Sequence, residues 1–145
     1  MLSPPVTLGA QKKGFSKVLD VGAMVEMPGG GLTTLAKTIQ ERPVETKRVI
    51  RSLQMAKEEI RKSKSRTLDL IVKLLRMDRE AATDTYEQFL TTLSPSGIPT
   101  RIGMDILVKS VQQQGRFVDR KVNFYEIADD RLATEVAKEM GYKIP

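Results

Sequence analysis

The stretch "FSKVLDVGAMVEMPGGGLTTLAKTIQERP", residues 15–43, holds the choice of fold class. Its opening, with Val18, Leu19 and Val21 running into Gly22, has the apolar and β-branched content of a strand. Its middle, residues 25–31, cannot be regular. The consecutive Gly29, Gly30 and Gly31 leave a backbone free to enter φ > 0 and to approach another surface closely. "LTTLAKTIQER" reads as a strand start that continues into a short helix, and Pro43 suits the first turn of a new helix. A strand here has no evident partner, and a lone strand leaves its backbone groups unpaired. This segment therefore implies the latter part of a larger α/β fold.

Outward from it, helices are expected. "SPPVTLGAQKKG" reads as a turn and a short helix stopped at Gly14. Beyond Pro43, Val49, Leu53, Ala56 and Ile60 recur at helical spacing, followed by Leu68, Ile71, Val72 and Leu75. Asp78 is a candidate N-cap for a helix burying Ala82, Tyr86, Phe89, Leu90 and Leu93. "SPSGIPT" reads as a loop, and Thr100 as the cap of a helix using Met104, Leu107 and Val111 and closed at Gly115. Asp129 and Asp130 precede a last helix with Leu132, Val136 and Met140, ended by Gly141. The aromatics Tyr86, Phe89, Phe117, Phe124 and Tyr125 read mostly as core.

Composition excludes several chemistries. The 145 residues contain no cysteine and no histidine. Disulfides, thiolate metal sites and Ser-His-Asp, Cys-His or HExxH catalysis are therefore ruled out within the chain. The net charge is +6, and residues 47–66 hold eight basic against two acidic residues, which accounts for the whole excess. Such a segment can bind nucleic acid through phosphates. It carries no aromatic for base stacking, and the plainer reading is a solvated helix face. "PGGGLTT" fits neither the P-loop nor the dinucleotide-binding pattern. The start, "MLSPPVTLGAQKKG", lacks the basic and apolar regions of a signal peptide.

Taken in order, "LSPPVTLGAQKKGFSKVLDVG", "GGGLTTLAKTIQERPVETKRVIRSLQMAKEEIRKSK", "YEQFLTTLSPSGIPTRIGMDILVKSVQQQG" and "ADDRLATEVAKEMG" resemble the C-terminal half of ABC-transporter substrate-binding proteins. The nearest group is the nitrate, sulfonate and taurine type, with its thiamine-pyrimidine-synthase-like relatives. The likeness runs from residue 2 to about residue 143. It implies an α/β class: the C-terminal part of a bilobed type II periplasmic-binding-protein fold, mostly helical here with a small residual sheet. Residues 1–34 would be a remnant of the second lobe and its crossover. Residues 35–145 would pack on the first lobe and outer surface. The implied function is capture of a small organic or anionic nutrient by cleft closure, and delivery to a membrane permease in the periplasm or at the cell surface. The missing N-terminal lobe would come from the same or a separate chain. No catalysis, cofactor, metal or nucleic acid is implied. Ser3, Pro4, Pro5, Met27, Gly29, Gly30 and Gly31 would face the ligand. The alternative is a stand-alone helical interaction module with a basic nucleic-acid-binding face that includes Arg51 and Arg61.

Overall fold

In the computed structural model, which describes Leu2 and residues 6–144, residues 15–20 are irregular and exposed throughout. The expected strand is absent, and so is the strand start expected at Leu32. Among the described residues there is no strand at all. This corrects the α/β class with a residual sheet to an all-helical fold. The physical reason lies in the neighbours. β-propensity is largely the fit of a side chain to a pleated, half-buried surface, and no second strand supplies one. Val18, the strongest strand former of the segment, is 96% exposed.

The described helices are α1 (Val6–Lys12), α2 (Val21–Met24), α3 (Ala36–Glu41), α4 (Pro43–Lys62), α5 (Lys64–Leu75), α6 (Arg79–Thr92), α7 (Arg101–Gln113), α8 (Phe124–Ile127) and α9 (Arg131–Glu139). Their ends follow local chemistry closely. Gly14, Gly115 and Gly141 all have φ near +80 to +87. Each closes a Schellman motif, in which the two residues past the helix bond back to its last carbonyls. The paired bonds are Gly14 N–H to Gln11 and Phe15 N–H to Ala10, Gly115 to Gln112 and Arg116 to Val111, and Gly141 to Lys138 and Tyr142 to Ala137. Asp78 caps α6 by accepting from Ala81 N–H at 2.8 Å, and Thr100 caps α7 by accepting from Gly103 N–H at 3.1 Å. At the start of α9 the N-cap residue, Asp130, makes no side-chain capping bond, and its neighbour Asp129 accepts from Arg131 N–H at 3.1 Å.

The chain folds into two units, neither contiguous. One comprises the residues up to Asp20 together with Met55–Leu93; the other comprises Val21–Gln54 and the residues from Ser94 on. In the first unit, Leu68, Ala82 and Tyr86 form the buried centre, with Ile60, Ile71, Val72, Met77 and Leu90 packed around it. The Tyr86 hydroxyl donates to the Ile60 carbonyl at 2.9 Å. That carbonyl lies in the last turn of α4, where no intrahelical partner exists. In the second unit, Ile98, Met104, Phe124, Val136 and Ala137 are buried.

The face of α4 differs from the expected stripe. Val49 and Leu53 are 51% and 47% exposed, Ala56 is exposed, and only Ile60 reaches a core. The helix instead buries Gln54, whose side-chain N–H donates to the Ser96 carbonyl while its Oε1 has no partner among the described residues. Of the aromatics, Tyr86 and Phe124 are buried, but Phe89, Phe117 and Tyr125 are 43%, 57% and 63% exposed. Helical spacing specifies that a stripe exists, not which of two adjacent faces meets a neighbour.

Candidate functional site

Met27, Gly29, Gly30 and Gly31 lie together on one irregular segment of the second unit, between α2 and α3. Ser3, Pro4 and Pro5 lie outside the described residues. The segment is held at its root by α7. The Thr100 hydroxyl donates to the Glu26 carboxylate while accepting from Gly103 N–H, so one side chain ties loop and helix start together. Pro28 is half-buried against the same turn. A Cβ on Gly103 would sit 3.0 Å from Thr100 Oγ1, 3.2 Å from Pro28 Cδ and 3.4 Å from the Glu26 carbonyl. Close backbone approach, expected at the triple glycine, is therefore found at Gly103.

Past this anchor the loop is presented to solvent. Met27 is 45% exposed, and a Cβ on Gly29, Gly30 or Gly31 would meet no atom within 4 Å. These three glycines are required by nothing packed against them in the chain. A ligand or a partner surface can reach their backbone N–H groups without displacing protein atoms.

The basic segment is largely answered by carboxylates within each unit. In the second unit, Lys47 pairs with Glu139 at 2.5 Å and Glu135 at 3.1 Å, and Arg51 pairs with Glu139. Hydrogen bonds to Glu139 and Glu135 hold the Lys47 ammonium above its ordinary pKa, and the Lys47 bond holds Glu139 below its own. In the first unit, Lys62 meets Glu58, Lys64 meets Glu87 and Arg66 meets Glu59. Arg61 donates to the Leu93 carbonyl at 2.8 Å. Burial, and then the nearby Arg61, pushes Lys57 below the usual lysine range. A further cluster escaped the sequence: the Arg101 guanidinium lies 4.6 and 4.9 Å from the rings of Phe124 and Tyr125, and donates to the Tyr125 hydroxyl at 2.6 Å. Its one legible signal is the Asn123–Glu126 capping box that starts α8.

No family model, curated protein or solved structure matches the chain. The residues alone therefore carry the reading. Among the described residues, no group of three or more Asp or Glu is placed to hold a metal ion. No helix among them is long and apolar enough to cross a membrane. What the arrangement offers is a glycine loop that is anchored at its root and open beyond it.

Proposed function

We propose that the chain serves solute capture for an ABC-type importer, as part of a substrate-binding protein that hands a small organic or anionic nutrient to a permease outside the cytoplasm. The observation that carries this reading is the anchored loop. Glu26 and Pro28 fix its root, while Met27 and the backbone of Gly29–Gly31 face outward with nothing of the chain against them. Exposed backbone N–H groups of this kind suit an anionic or polar solute. The ordered motif string supports the same reading. So does the amount of unpartnered apolar side chain at Phe15, Val18, Leu19 and Leu35, which suits a chain that works against a further protein body. Ligand affinity would then come from closing that body over the loop, because only the closed state contacts the solute from both sides.

The test is calorimetric titration of the protein with nitrate, alkanesulfonates, taurine and pyrimidine precursors, in wild type and Gly30→Val. Because the added side chain meets nothing in the fold, a loss of affinity reports on the loop itself. Silence across the panel, or an affinity that Gly30→Val leaves untouched, removes the loop reading. The ion pairs along α4 and α5 weigh against the nucleic-acid alternative, since they neutralise much of the charge that phosphate binding would use.

A further inference from the structure

In the second unit, the connection from α7 to α8 is exposed at every residue from 114 to 121. It nevertheless has a fixed shape. The Gln112 side-chain amide, at the end of α7, donates to the Phe117 carbonyl at 3.2 Å and to the Arg120 carbonyl at 2.9 Å. Arg120 N–H donates to the same Phe117 carbonyl at 3.1 Å, which closes a turn with Val118 and Asp119 at its tip. Phe117 has φ +55, a left-handed conformation that a bulky residue rarely adopts. The clamp keeps it there, with the ring turned to solvent and Val118 beside it 61% exposed. Two apolar side chains are thus held outward on a defined backbone.

Cations flank this tip. The Arg116 guanidinium lies 5.8 Å from the Phe117 ring centre, and Lys121 follows the turn. Neither is ion-paired to a carboxylate among the described residues. Arg120, by contrast, is spent on Glu126 at 2.9 Å, a bond that ties the turn to α8. Asp119 is the one carboxylate within the turn, so Arg116 and Lys121 leave it net positive.

We propose that this turn docks the protein on the surface of an anionic phospholipid bilayer. Phe117 and Val118 enter the boundary between headgroups and acyl chains, and Arg116 and Lys121 meet the lipid phosphates. The apolar pair gains by leaving water, while the long basic side chains reach back to the charged layer. A nucleic-acid strand is served less well, because Val118 offers a base no π-face and Arg116 already lies over the Phe117 ring. One small apolar tip with two cations gives reversible attachment. This surface is separate from the glycine loop and stands whether or not the loop binds a solute.

The chain has no tryptophan, so Phe117→Trp puts a single fluorophore at the tip. The experiment is sedimentation and fluorescence of the whole chain with phosphatidylcholine vesicles, either pure or containing about 30% phosphatidylglycerol. The expected result is partitioning at least about tenfold stronger on the anionic vesicles, weakening as salt rises. The emission of Phe117→Trp should shift to the blue on those vesicles. Phe117→Asn, which a left-handed backbone accepts, should lower partitioning about tenfold with an unchanged circular dichroism spectrum. Arg116→Gln combined with Lys121→Gln should lower it about tenfold and remove most of the salt dependence. Leu74→Asn, at an equally exposed apolar position on α5, should leave it as in wild type. The proposal is overturned by absence of partitioning up to roughly 5 mM anionic lipid, or by Phe117→Asn binding as well as wild type. It also falls if the emission shifts on concentrating the protein without lipid, the mark of a second copy, or with oligothymidylate in place of vesicles.

Discussion

Tyr86 is the most informative single position for the first unit. Its ring is 98% buried between Leu68 and Ala82, with only 2% exposed. Its hydroxyl satisfies the Ile60 carbonyl at the end of α4, and the Lys64 ammonium lies 5.6 Å from the ring centre. Two substitutions divide these roles. Tyr86→Phe keeps the ring and removes one hydrogen bond. A made bond contributes about 0.5–1.5 kcal/mol, and a buried acceptor left bare costs about 1–3 kcal/mol. Thr67 Oγ1 remains 3.5 Å from the same carbonyl, a weak substitute, so the expected loss is about 1.5 kcal/mol. Tyr86→Ala removes the ring as well, and truncation of a buried aromatic costs about 3–5 kcal/mol. Urea denaturation followed by circular dichroism gives both losses, and hydrogen exchange of the α5 and α6 amides assigns them to this unit. A Tyr86→Phe variant as stable as wild type would show that the hydroxyl does not serve the end of α4. An alanine variant no worse than the phenylalanine one would refute the ring's place at the centre of the core.

Three other outcomes follow from the same structure. Val49→Asp and Leu53→Asp should each change stability by no more than about 0.5 kcal/mol, because both side chains are about half exposed; denaturation midpoints shifted as for buried leucines would restore the expected stripe. Gly103→Ala should lower stability by about 1–3 kcal/mol and raise proteolysis at residues 25–35, while Gly30→Ala does neither; equal tolerance at both sites would mean that the Glu26–Pro28 anchor is not formed. The carboxyl of Glu139 is held below its ordinary value by Lys47, so its contribution is present above the unfolded pKa and fades as pH falls through the lower folded one, at pH below about 4.5. Lys47 is raised, so its share persists below the unfolded value and fades only as pH climbs past about 10.5. Glu139→Gln should flatten the acid limb of a stability profile, and an unchanged limb would show the pair to be energetically silent.

What the sequence revealed depended on the range of the interactions involved. Helix ends set by a residue and its neighbours within five positions were legible: Gly14, Gly115 and Gly141 as left-handed stops, Asp78 and Thr100 as caps, Pro43 in a first turn. The irregular glycine segment was legible for the same reason. The strand at residues 15–20 was not, because a strand exists only with a neighbour. The buried face of α4 was hidden too, since it is turned inward by Gln54 meeting Ser96 and by Lys47 and Arg51 meeting Glu139, and these partners lie 42 to 92 residues away. At the candidate site, the glycines announce a loop, whereas its anchor, Glu26 on Thr100, spans 74 residues and leaves no local trace.

The division of α4 between the two units has a consequence for the order of events during synthesis. Residues up to Leu93 complete the first unit, so that half of the molecule can close while the remainder is still being made. Within Val21–Gln54, four side chains must wait for residues after Ser94: Glu26 for Thr100, Lys47 for Glu135 and Glu139, Arg51 for Glu139, and Gln54 for Ser96. Throughout that interval Lys47 and Arg51 have emerged, but Glu135 and Glu139 have not. The nascent chain thus carries an unanswered positive charge that the finished protein does not, and for that period it is open to acidic chaperone surfaces and to ribosomal RNA.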